Sequence, residues 1–309
     1  MKAIRAAYGE ALVELAGKYD FFVMDADLAK GTMTVYFRDA HPDRFIDMGI
    51  AEANMYGYAA GLSSCGVPVF ASTFASFAAG RSYDQIRNGI AYPRLNVKVA
   101  ATHGGVQAGA DGGSHQCLED IALMRAIPGM VVLCPCDERE TKAAVETALR
   151  YDGPVYLRLA RNAVPDLHPP GTPCEVGIGR GNVIVDGDDA AIVAVGGMVA
   201  KAVEASGELR ASGIGAAVVS MVSIKPLDEE LLLRYARKTG RIVTAEDHNR
   251  CGGLGGAVSE ALALGLPTPL EMVAVDDEFG CSGSPDDLDR RFNLTAGDVC
   301  AAVDRVLKR

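Results

Sequence analysis

The sequence predicts an α/β protein of two consecutive domains, each built on a largely parallel sheet. Three observations carry this. Short β-branched, near-continuously apolar runs alternate with longer helical stretches along the chain, as expected of strands covered by helices on both faces. The alternation breaks over 162–176, where Pro165, Pro169, Pro170 and Pro173 stand with Gly171. Prolines at that density withhold the backbone donors that a helix or sheet needs. Finally, 309 residues is the length of about two ordinary domains.

In the first half, strands are predicted over 21–25, 45–48, 67–71, 96–102, 130–135 and 155–159. Helices are predicted over 3–16, 53–63, 80–91, 117–125 and 138–150. The second half repeats the pattern, with strands over 190–195, 216–221, 241–245 and 270–275 and helices over 199–212, 228–238 and 254–264. Thr295-Ala296-Gly297-Asp298 is close to a capping box and introduces a last helix over 299–308. The domains are accordingly placed at 1–165 and 186–309, with a proline-rich linker over 166–185. Crossovers should be right-handed.

Composition narrows the function. Hydrophobic residues at 49 % and charged residues at 23 % are ordinary globular values and exclude disorder as the main state. No apolar run reaches the roughly 18–20 residues that span a bilayer. The opening MKAIRAAYGEALVELAGKYD is amphipathic, carries acids and lacks the apolar core of a secretion signal, which points to the cytoplasm. Thirty basic against forty acidic side chains leave a net charge of −10, with no Lys/Arg block, so phosphate-led nucleic-acid binding is not expected. The balance favours work on small molecules. The eight cysteines show no C-x-x-C pair, only Cys134-Pro135-Cys136. Reduced thiols in the core are therefore expected, and no metal ligands are assigned.

Open parallel sheets bind ligands beyond the carboxyl ends of their strands, and four segments there could carry chemistry. Glu52 in Gly49-Ile50-Ala51-Glu52 opens a helix after a strand. A first-turn acid favours the helix dipole, but its apolar neighbours make it costly without a partner or a task. Phe74 and Phe77 stand three apart at a strand end, either as core filler or as a flat slot for a planar ring. A glycine-rich loop carries His103, Asp111 and His115, so two of the chain's five histidines flank an aspartate. Glycines permit close ligand approach. The spacing fits no standard zinc pattern, and a polar substrate site is the better account. Arg158 and Arg161 end a strand before the linker. Either could fork onto a phosphate or carboxylate, although Arg158 reads more simply as a solvated edge charge. No phosphate loop and no dinucleotide fingerprint occurs; Gly252-Gly253-Leu254-Gly255-Gly256 lacks the lysine.

Together these segments resemble the transketolase family of thiamine diphosphate enzymes. Gly49-Ile50-Ala51-Glu52-x-Asn54-Met55 looks like its catalytic-glutamate motif, and Thr73-Phe74-x-x-Phe77 like its aminopyrimidine pocket. Thr102-His103, Asp111-Gly112 and His115-Gln116 match its donor-site spacing, Leu159-Ala160-Arg161-Asn162 its phosphate-contact segment, and Glu246-Asp247-His248 before Gly252 its C-terminal domain. The resemblance spans the chain but lacks the family's N-terminal diphosphate domain, since no Gly-Asp-Gly occurs. It implies the C-terminal subunit of a split transketolase, with a pyrimidine-binding domain followed by a C-terminal domain.

The same resemblance implies thiamine diphosphate as the cofactor, with Mg2+ or Ca2+ held by a partner chain that carries the diphosphate domain. It implies an α2β2 assembly, self-associating through the pyrimidine and C-terminal domains. By family resemblance, Glu52 hydrogen-bonds the aminopyrimidine and promotes the tautomer that deprotonates the thiazolium carbon. Ile50, Phe74 and Phe77 would contact the cofactor. His103 and His115 would contact hydroxyls or the carbonyl and assist proton transfers, Asp111 would hold the donor, and Arg161, with His103, would bind an acceptor phosphate. The implied reaction passes a two-carbon ketol unit from a ketose to an aldose. Two departures bear on the sugar. Gly104 stands where an acid is usual, and Gly31 stands where a phosphate-contacting Ser is usual, with Thr32 or Thr34 as substitutes. The alternatives are the β subunit of a 2-oxo-acid dehydrogenase, a deoxyxylulose-phosphate-synthase-like activity, and a non-catalytic regulatory subunit on the same fold.

Overall fold

The computed structural model describes residues 1–168 and 174–309. Of the proline-rich joint, Pro169, Pro170, Gly171 and Pro173 lie outside the described residues.

A seven-stranded sheet runs from edge to edge through Phe45–Asp47, Phe22–Asp25, Val69–Phe74, Val97–Thr102, Val155–Leu159, Val131–Leu133 and Ser223–Lys225. All neighbours are parallel except the last pair. Val69–Phe74 and Val97–Thr102 are buried along their whole length. Their alternation explains why: Val97, Val99 and Ala101 face one core, shared with Met55 and Met124, while Ala100 faces the other, shared with Tyr8 and Val145. Helices Ile4–Ala16 and Glu138–Arg150 cover the second of these faces, and Glu52–Ser64 and Asp120–Ala126 the first.

The second sheet has five strands, ordered Leu270–Val275, Ile242–Asn249, Ala190–Ala194, Ala216–Ser220 and Asn182–Val185, with the last antiparallel. It thus begins inside the 166–185 segment. The capping box of Thr295 and Asp298 is formed, and the helix it starts runs Ala296–Val306.

The two sheets are not independent. Ser223–Lys225 leaves the second pattern to pair with Val131–Leu133, and Cys134 donates its N–H to the carbonyl of Val222. A single apolar cluster joins Val99 and Cys134 to Val193, Val219 and Leu254. Sequence periodicity cannot show this, because a three-residue strand carries no period.

Other elements differ from expectation. The predicted helix over 80–91 is two π-helical segments, Ser76–Arg81 and Gln85–Ala91. Short helices Ala29–Thr32, Val35–Ala40 and Pro285–Arg291 were not expected, and the glycine-rich loop contains a helical turn, Val106–Asp111. The cysteines are all free thiols, yet only Cys117, Cys134 and Cys136 are in the core, while Cys65, Cys251 and Cys281 are exposed. No helix among the described residues is long and apolar enough to cross a membrane.

Candidate functional site

Parallel register brings the chemistry together. Phe74 pairs with Thr102 at the carboxyl ends of adjacent strands, so the residues after each strand share one rim. His103 turns there with φ 62° and lays its ring on Phe74, with centroids 3.8 Å apart. Phe77 stacks at 5.9 Å from Phe74, and His115 meets Phe77 edge-on at 5.3 Å. Phe74, Phe77, His103 and His115 are therefore one cluster of rings.

His103 is only 2 % exposed, with Nδ1 2.9 Å from Thr102 Oγ1. Burial, reinforced by Arg5, Arg161 and His115, pushes its pKa down to about 3. The imidazole is thus neutral near pH 7. It can orient a hydroxyl or carbonyl as donor and acceptor, but it holds no spare proton.

Glu52 opens its helix at 3 % exposure. Its partner is Arg81, whose Nη1 donates to Glu52 Oε1 at 2.8 Å. The same guanidinium lies 4.4 Å over the Phe77 ring. The π-helical segment Ser76–Arg81 carries both Phe77 and Arg81, so local backbone geometry joins the Phe77 ring to the Glu52 carboxylate. Ile50, beside Glu52, is 78 % exposed.

A cationic corner adjoins the rings. Arg161 Nη1 donates to the Ala108 carbonyl at 2.8 Å. Arg5 Nη1 donates to the Gly31 carbonyl at 2.8 Å, and its Nε is buried with no hydrogen-bond partner. Burial and the charge of Arg161 both lower the pKa of Arg5. Among the described residues neither arginine forms an ion pair with a carboxylate. Two neighbouring guanidiniums without an acid form an anion-receptive corner. Arg5 gives no signal in the sequence, because a single arginine in an N-terminal helix has no local pattern around it. Asp111 is exposed at the end of Val106–Asp111.

The two departures have physical reasons. A side chain at Gly31 would meet the Phe74 ring at 3.0 Å, so glycine lets the strand end and its ring pack. Thr32 and Thr34 do not replace a serine there: both hydroxyls donate to buried Asp25, at 2.7 and 2.8 Å. A Cβ on Gly104 would stand 2.8 Å from Arg158 Nε, and one on Gly105 would run into the Asp247 carboxylate.

Arg158 is accordingly not a solvated edge charge. It is 3 % exposed and donates to Asp120 Oδ2 at 2.9 Å and to Asp247 Oδ1 at 2.5 Å, tying the first sheet to the second. Glu246 accepts from the N–H groups of Leu254 and Gly255 at 2.7 and 2.8 Å, which accounts for the neighbouring glycines as a helix start.

The family profile for the transketolase pyrimidine-binding domain matches residues 1–166, and that for the transketolase C-terminal domain matches 179–299. The chain is 44 % identical to a putative transketolase C-terminal section of Methanocaldococcus jannaschii, over all of this chain and 97 % of that protein. It is 42 % identical to a 6-deoxy-6-sulfo-D-fructose transketolase subunit of a Clostridium species, over 99 % of this chain and 95 % of that one. A solved structure, described as a split-gene transketolase in an inactive β4 tetramer, matches with a TM-score of 0.93 and 50 % identity, covering 100 % of this chain and 99 % of that chain. The chain belongs to the transketolase family.

Proposed function

We propose that this transketolase-family chain is the pyrimidine-side subunit of a split transketolase. It would move a two-carbon ketol unit between sugars bearing a terminal anion, and would act with a partner that supplies the diphosphate domain. The observation that carries the reading is the placement of Arg81. A planar group with N–H donors lies over Phe77 and hydrogen-bonds Glu52 at the same time. An aminopyrimidine ring asks for the same two contacts, so the donor set suits thiamine diphosphate.

When bound, that cofactor supplies the electron sink for carbon–carbon cleavage. The chain's own residues do the rest. Glu52 exchanges a hydrogen bond with the pyrimidine ring, and Phe77 and exposed Ile50 bracket it. His103, held neutral, orients a substrate oxygen by hydrogen bonding, and His115 stands across the rings for proton transfer. Arg5 and Arg161 hold the anion at the sugar's far end. The relative that acts on a sulfonated sugar supports an anionic substrate class. The metal, magnesium or calcium, would sit on oxygen ligands of the partner.

The test is affinity capture of the tagged chain, followed by assay of the complex. A stoichiometric partner bearing Gly-Asp-Gly and cofactor-dependent ketol transfer is the expected result. Glu52→Gln should then reduce turnover by about 10²- to 10⁴-fold while the complex still assembles. Unchanged turnover in that variant would remove Glu52 from the mechanism. Full activity of the chain alone would overturn the split arrangement.

A further inference from the structure

A second cluster lies at the start of helix Glu138–Arg150, and the ketol-transfer site does not use it. The ligand-capable atoms of Cys136, Asp137 and His168 lie within 4.8 Å of one another. His168 is held from behind: its Nδ1 is 2.8 Å from Asp137 Oδ2. Its Nε2 is buried without a hydrogen-bond partner, although Glu140 Oε1 stands 3.6 Å away. The imidazole side chain is 9 % exposed, and both carboxylates are fully buried. The thiol of Cys174 lies against the same imidazole, and that of Cys136 against Glu140.

This is the arrangement of a histidine oriented by a carboxylate with its other nitrogen open. Buried carboxylates gathered beside thiols need a cation or a proton. The donor set of sulfur, imidazole nitrogen and one carboxylate suits zinc and not magnesium or calcium.

We propose that this cluster binds a zinc-class divalent cation. Cys136, Cys174 and His168 Nε2 are the sulfur and nitrogen ligands, Glu140 is the oxygen ligand, and Asp137 orients the imidazole. Asn182 Nδ2 and Ser220 Oγ donate to Glu140 at 2.9 and 3.0 Å from strands of the second sheet. The ion would therefore fasten the second sheet to a helix of the first.

Cobalt(II) is the probe, titrated into the reduced, chelator-stripped full chain. One ion per chain should bind, with the thiolate charge-transfer and visible bands of tetrahedral cobalt. Cys136→Ser and His168→Gln should each abolish those bands, while Cys65→Ser and Cys251→Ser, at exposed thiols elsewhere, should leave them. Asp137→Asn keeps a helix cap and should weaken binding by about 10- to 100-fold. Because the ligand variants could misfold, zinc protection of Cys136 and Cys174 from alkylation in the wild-type chain is a second readout. Absence of both cobalt bands and zinc protection in the wild type overturns the proposal, as do bands that survive both ligand substitutions in folded protein.

Discussion

Arg81 donates to Glu52 across 2.8 Å while its guanidinium covers Phe77 at 4.4 Å. The carboxylate at the heart of the proposed cofactor site is thus satisfied by a side chain that is half exposed. A buried acid in an apolar neighbourhood needs a partner, and Arg81 provides one.

Arg81→Met should therefore act in two directions. Removing the competitor should tighten cofactor binding by roughly 2- to 5-fold, the equivalent of a half-exposed ion pair of about 0.5–1 kcal/mol. The cofactor-free chain should lose melting temperature, because Glu52 is left alone. Titration calorimetry on the assembled complex checks the first and a thermal melt the second. Weaker cofactor binding would assign Arg81 a supporting role.

The corner of Arg5 and Arg161 should set substrate charge preference. Alanine at either position should raise KM for a phosphorylated or sulfonated sugar by about 10-fold or more, the scale of a lost charged hydrogen bond. KM for the neutral sugar should barely move. Paired kinetics with the anionic and neutral sugars decide it, and equal effects on both would dissociate the corner from the anion.

Arg158 joins Asp120 of the first sheet's covering helix to Asp247 of the second sheet. Removing one partner from a buried ion network costs about 3–5 kcal/mol. Arg158→Ala should therefore lower the melting temperature far more than Arg161→Ala, which leaves no buried carboxylate unpaired. Comparable melts for the two would contradict the network's structural role.

Glu246 gives a pH signature. Burial lifts its pKa to about 7 from an ordinary 4.5, against the pull of the Leu254 and Gly255 amides. Between those values the folded chain holds a proton that the unfolded chain has lost, so the contribution from Glu246 falls as pH rises from about 4.5 to 7. Glu246→Gln removes that dependence. Its melting temperature should gain on the wild type across this range and then hold a constant difference. A difference independent of pH would show that Glu246 ionises normally.

Much of this was legible in the residues. The two α/β patterns are visible because buried parallel strands must be apolar throughout and helices must be periodic. Glu52, Phe74, Phe77 and His103 stand out in the sequence because each lies at or shortly after a strand's carboxyl end, where a parallel sheet places its ligands, and His115 because it shares the glycine-rich loop that follows one. Arg5 was not, since only folding carries the N-terminal helix to the rim beside Arg161. Arg158 looked exposed because a strand-end arginine gives no sign of carboxylates 38 and 89 residues away.

The sequence by itself determined the class of fold, the main alternation of strands and helices and the family, because periodicity, proline placement and short motifs are local properties. Tertiary structure alone decided that Arg81 sits on Phe77, that Thr32 and Thr34 serve Asp25, that Ser223–Lys225 crosses into the first sheet, and that Cys136 meets His168. Each of these depends on which distant side chain fills a given space, and close packing in three dimensions settles that, with no trace in the spacing along the chain.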